Sequence, residues 1–96
     1  MFSWDPSKAA VNELKHKVSF HEALTVFADP YALVGPDIHH SHSEARQFIV
    51  ELSDKERVLT VIFTLRRHTS GNETIRIISA RQASRKERKA YARSED

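Results

Sequence analysis

Three histidines, His39, His40 and His42, stand within four residues, with Glu44 and Arg46 directly behind them in the stretch DIHHSHSEAR. These are proton carriers, a carboxylate and a fixed cation. Three readings of the cluster stand side by side. As a metal site it needs imidazoles that converge on one point. His40 and His42 share a side of an extended chain, but His39 points away, only Asp37 or Glu44 completes the set, and the chain has no cysteine. As an acid–base loop it has the right groups, because an imidazole titrates near neutrality. As a plain turn it is a wet, polar connection between strands. Arginines decide how far the second reading goes. Arg46 and Arg66 could hold an anion whose charge grows during reaction, which suits a phosphodiester. A surface network of Glu44 with Arg46 or Arg66 is the competing account.

The 96 residues suffice for one compact domain, 1–96. Hydrophobic residues make up 40% and charged residues 29%, as in an ordinary water-soluble protein. The absence of cysteine excludes disulfides and thiolate metal sites. No apolar run has the length of a membrane span, and MFSWDPSK lacks the basic start and apolar core of a signal peptide. A cytoplasmic protein with no membrane partner is expected. Charge is uneven. Residues 1–75 carry 8 Lys/Arg against 10 Asp/Glu, a balance of −2, whereas residues 76–96 carry 7 against 3, a balance of +4. The basic end, RQASRKERKAYARSED, favours a polyanion or an acidic partner, or it is only a solvated helix face.

The elements that must position these residues follow from local pattern. Asp5-Pro6 reads as an N-cap and first helical residue, opening a helix to about Lys17 with Ala10, Val11 and Leu14 on its buried stripe. Ser19 and Glu22 fit a capping box for a second helix over 20–28, which Asp29-Pro30 stops. The period then changes to two. YALVG, RQFIVEL, RVLTVIFTLRR and TIRIISAR read as strands, and the short links SDKE and RHTSGNE suit hairpins. Phe2-Ser3-Trp4 offers an edge strand, with Trp4 a core anchor. Helical pattern returns from Ala83 to about Arg93. The expected class is α+β: N-terminal helices packed on an antiparallel β-sheet meander with a basic C-terminal helix. A hairpin after residue 52 places Arg46 beside Thr64–Arg66, at one end of the sheet with the histidine loop. Arg81 falls at the other end, near the basic helix, where Glu87 is a candidate partner.

The segments FSWDPSKAAVNELKHKVSFHEALTVFADP, HSHSEAR, RVLTVIFTLR and IRIISARQASRKERKAY, in this order and at these separations, resemble the BrnT family of toxins from bacterial type II toxin–antitoxin pairs. The resemblance runs from Phe2 to about Tyr91. It implies a small RelE-like fold and a ribonuclease that degrades RNA and arrests growth without a cofactor. It also implies a cognate BrnA-like antitoxin, whose DNA-binding half lets the complex, with the toxin as a dimer within it, repress its own operon. DNA is then met only through the antitoxin. By motif position, the resemblance puts catalysis on Arg66, Arg81, Glu44 and His42 or His40, since either His40-Ser41 or His42-Ser43 answers the family's His-Ser pair. Lys8, Arg46, Arg67, Arg88 and Tyr91 are the expected substrate-binding residues, and no metal ligand is expected. A non-catalytic module that binds nucleic acid or protein through the basic helix is the alternative; it predicts salt-sensitive RNA binding without turnover.

Overall fold

The computed structural model of the chain describes residues 1–30, 32–37 and 45–94. The histidine loop, including His39, His40, His42 and Glu44, lies outside the described residues.

Strand β1 (Phe2–Ser3) leads into helix α1 (Pro6–His16). Asp5 caps α1 as expected, its carboxylate accepting from the backbone N–H groups of Ser7 and Lys8. Helix α2 (Phe20–Leu24) continues as a 3-10 turn (Thr25–Ala28). Four strands follow: β2 (Leu33–Pro36), β3 (Arg46–Leu52), β4 (Val58–Arg67) and β5 (Glu73–Gln82), then helix α3 (Arg85–Ser94). The spatial order is β1-β5-β4-β3-β2. β2 to β5 form the antiparallel meander, and β1 joins parallel to β5, so the sheet is mixed.

One face of the sheet carries the core. Val18, Phe20, Ala23 and Val26 pack on Ile49, Leu59, Val61, Phe63, Ile77 and Ala80, all buried. Trp4 packs against this cluster with its ring edge-on to Phe20 and His21. The same alternation turns Phe48, Val50, Thr60, Ile62, Thr64 and Arg66 to the opposite face, open at Arg66 and buried at Val50, Thr60 and Thr64.

Two local expectations are corrected. Ala10, Val11 and Leu14 do not form the buried stripe of α1: Ala10 is exposed, and Val11 and Leu14 are 62% and 75% exposed. The buried residue is Asn12. It lies against the edge of β5 and bonds the main chain, giving 2.8 Å to Ala80 O, receiving 3.1 Å from Ala80 N–H and giving 3.0 Å to Val18 O. α1 thus meets a strand edge that β1 leaves uncovered, and an edge needs amide groups rather than methyls. Second, Ser19 Oγ does accept the Glu22 N–H at 3.0 Å, but the Glu22 carboxylate does not reach back. It is drawn to Ser53 and Arg57 instead. The reciprocal capping box belongs to α3: Glu87 N–H gives to Ser84 Oγ at 3.1 Å, and Ser84 N–H gives to Glu87 Oε1 at 2.8 Å.

Candidate nucleic-acid interface

The register fixes which arginines share the open face. Arg46 stands opposite Thr64, and Thr64 opposite Arg76. Arg66 stands opposite Thr74 and Arg81 opposite Thr60. Arg76 and Arg81 are five apart, so strict alternation would send them to opposite faces. An extra residue in β5, Ile78, shifts the register between Ile62 and Phe63 and brings both to the same face. Sequence reasoning missed Arg76 because no turn residue or glycine marks this bulge. Arg67 falls on the other face from Arg66 and makes only a long contact of 3.4 Å with Glu73 at an exposed site.

The expected pairing of Arg46 with the end of β4 is present, and the histidine loop springs from that end, between Asp37 and Arg46. Asp37 N–H bonds Arg46 O at 2.9 Å and closes the base of the loop. Arg81 belongs to the other end. Six residues of β5 lie between it and Thr74, the partner of Arg66, roughly 20 Å of strand. The two guanidiniums therefore serve different points along the face. Thr64, between Arg46 and Arg76, is 3% exposed.

Arg81 is held by α3. Its Nη1 and Nη2 give 2.7 and 2.8 Å bonds to the two carboxylate oxygens of Glu87, a bidentate fork. Thr60 Oγ1 adds a bond of 2.9 Å to Glu87. The Arg81 guanidinium, with help from Ser84 N–H and Thr60, overcomes burial and holds the Glu87 carboxyl down to about 2. Glu87 in turn raises Arg81 above its ordinary value, against burial. Glu87 is thus a poor proton acceptor near neutrality and a good orienting group.

Arg81 and Glu87 line a cavity of about 370 Å³ between α3 and the open face, with Leu33, Pro36, Asp37, Phe48, Val50, Thr60, Ile62, Lys86 and Ala90. A larger, shallow depression of about 870 Å³ around Phe27 and Leu52 is mostly apolar and lies away from these arginines.

The remaining expected site residues are dispersed. Lys8 is exposed on α1, in a groove with Ile78 and Ser79 at the β5 edge. Arg88 is exposed and bends back to give 2.7 Å to Ala83 O. Tyr91 gives a 2.5 Å bond to Glu51 Oε1 and ties α3 to β3. Burial, with Asp29 alongside, raises the Glu51 carboxyl despite that bond. His40, His42 and Glu44 lie outside the described residues.

Comparison with known families decides what this face belongs to. The family described as the ribonuclease toxin BrnT of type II toxin–antitoxin systems matches residues 4–87. The chain belongs to the BrnT family. Among solved structures, the Brucella abortus ribonuclease toxin BrnT matches with a TM-score of 0.62 and 23% identity, over 88% of this chain and 99% of that one. Comparison with curated proteins finds no match. The fold is therefore the BrnT fold, and the family is one of ribonuclease toxins. Membership in a type II system also implies a cognate antitoxin. Among the described residues, no helix is long and apolar enough to cross a membrane.

Proposed function

We propose that the chain is a metal-independent endoribonuclease, neutralised by a BrnA-like antitoxin, that cuts RNA laid across the open face of the sheet. The observation that carries this reading is the Arg81–Glu87 fork in the wall of the cavity. Glu87 fixes the guanidinium before substrate arrives, and preorganised charge is worth most where water is partly excluded. The Arg81 side chain remains 41% exposed, so a phosphate can reach its outer N–H groups.

The reaction is an internal transfer. The ribose 2′-OH attacks its own phosphate, the P–O2′ bond forms and the P–O5′ bond breaks. Glu44 or one histidine of the loop takes the 2′-OH proton, and another loop histidine, from His40 and His42, protonates the departing 5′-oxygen. The products carry a 2′,3′-cyclic phosphate and a 5′-hydroxyl. Arg81, close enough to Asp37 at the root of the loop to feel its charge, offsets the charge gathering on the phosphate. Arg66, Arg46 and Arg76, farther along the face, hold neighbouring phosphates, and Lys8 receives the strand where it leaves over the β5 edge. Arg67, Arg88 and Tyr91 stay secondary in this scheme, because each is engaged elsewhere.

The test is incubation of the antitoxin-free chain with bulk RNA in excess EDTA, beside an Arg66→Ala/Arg81→Ala double variant. Cleavage by the wild type alone, with cyclic-phosphate ends, is the expected result. Equal cleavage by both proteins sinks the assignment of the arginines. RNA that is bound in a salt-sensitive way but left intact moves the chain to a binding module. Co-purification of a BrnA-like protein, with loss of cleavage, tests the antitoxin.

A further inference from the structure

Helix α1 buries an amide and leaves its aliphatic side chains outside. Asn12 holds the helix to the β5 edge through Ala80 and bonds Val18 O as well. Val11 and Leu14, three residues apart on the helix, stay largely exposed, and Ala10 beside them is exposed too. A further apolar residue reaches the same place from the sheet. The bulge leaves Ile78 without a cross-strand partner on β4, and Ile78 lines, together with Val11, a groove of about 340 Å³ between α1 and the β5 edge. Single exposed aliphatic residues are ordinary, whereas adjoining ones mark a contact surface.

The charged groups of this groove are of one sign. Lys8, Lys15 and His16 line it with Ser7 and Ser79, and no carboxylate is among the lining residues. Glu13, the one carboxylate of α1, does not line it. The lining holds no Phe, Tyr or Trp on which a nucleic-acid base would stack. A second copy of the chain would bring the same lysines against these, so charge opposes self-pairing through this face. What fits is a protein segment that sets aliphatic side chains among carboxylates. We propose that the outer face of α1, Val11 and Leu14 with Lys8 and Lys15 beside them, docks an acidic, aliphatic segment of the cognate antitoxin. Membership in a type II system supplies the protein partner. The inference rests on the ribonuclease reading only for one consequence: a partner seated here also covers Lys8, where that reading has RNA leave the sheet.

Docking and cleavage are measured separately. The full chain is titrated with its purified cognate antitoxin by calorimetry, and amide chemical shifts locate the contact. Shifts are expected along α1 and at Ile78 and Ser79. Leu14→Ser and Val11→Ser should each weaken binding about tenfold or more, and Lys15→Glu should do so by a similar factor that shrinks at high salt. Val34→Ser, at an exposed aliphatic residue on β2 at the other edge of the sheet, should leave the affinity unchanged. Each variant, free of antitoxin, should cleave RNA and unfold as wild type does, so weaker docking is not lost folding. Wild-type affinity in both Leu14→Ser and Lys15→Glu overturns the inference, as do shifts confined to another surface. Self-association of the chain alone that Leu14→Ser abolishes gives the face to a second copy, and an equal loss of RNA binding in Leu14→Ser gives it to RNA; either result overturns the inference. Docking through α1 by a chain that cuts no RNA removes the ribonuclease reading alone, whereas cleavage with an antitoxin affinity that no α1 variant changes removes only the docking surface.

Discussion

Glu22–Arg57 and Glu87–Arg81 are the same chemical pair set in two different places. Glu22 is buried, its side chain 1% exposed, and its partner Arg57 is also bonded to Lys17 O. Ser53 Oγ gives a further 2.7 Å bond to Glu22. Burial pushes the Glu22 carboxyl up, yet the bonds from Arg57 and Ser53 outweigh it and hold the carboxyl below its ordinary value. This pair joins the α1–α2 junction to the β3–β4 turn. Glu87–Arg81 has more water around it, with side chains 28% and 41% exposed, and it faces a cavity. One pair is closed on itself and serves the fold. The other leaves a guanidinium oriented but reachable, which a binding site requires.

The largest effect should come from breaking the closed pair. Arg57→Ala strands the Glu22 carboxylate in the interior and should cost about 3 kcal/mol or more of stability, read from urea unfolding. The RNA cleaved per folded molecule should hardly change. Arg81→Ala should behave in the opposite way. Cleavage is expected to fall about a hundredfold, while stability drops by only about 1 kcal/mol because both partners are partly solvated. Similar stability losses from both variants would erase the distinction drawn between the pairs.

Helix α1 supplies the next test. Asn12→Ala leaves the Ala80 N–H and carbonyl without their partner and should destabilise by about 2 kcal/mol. Leu14→Ser on the same helix, at an exposed position, should lie within about 0.5 kcal/mol of wild type. The reverse order would restore the apolar stripe that periodicity predicts.

Acid titration sharpens the comparison further. The folded Glu87 carboxyl sits at about 2, below its ordinary 4.5. A depressed folded value gives stability that is complete above about pH 4.5 and lost as pH falls toward about 2. Discounted for exposure, the loss is about 1–2 kcal/mol. Glu87→Gln should flatten that part of the stability curve, measured by thermal unfolding across this range. An unchanged slope would show that Arg81 does not hold Glu87 in solution.

Much of the fold was legible because its signals are local. Asp5-Pro6 opens α1, Asp29-Pro30 closes the 3-10 turn, and period-two patterns mark β3 to β5. What was hidden depends on partners distant in sequence. The inward face of α1 could not be read from hydrophobic spacing, because its partner is a strand edge and the buried residue is an asparagine. The Ser19–Glu22 spacing suggested a capping box, but Arg57, 35 residues away, takes the carboxylate. The family motif pointed to Arg66 and Arg81 as candidate site residues. Their separation along β5, and the arrival of Arg76 on the same face, depend on the bulge at Ile78. Asp37 stood out in the sequence only as a spare metal ligand; its place in the cavity wall needs β2, β3 and α3 together.

The bond from Asn12 to Ala80 spans 68 residues, and Phe2 pairs with Ile75 at almost the same reach. During synthesis the first strand and helix emerge with nothing to close against. They wait in the nascent chain until β5 follows, and the Arg81–Glu87 fork forms later still, once α3 is out. Both closures are therefore late events, and the cavity wall is complete only when α3, the last of the described elements, is in place.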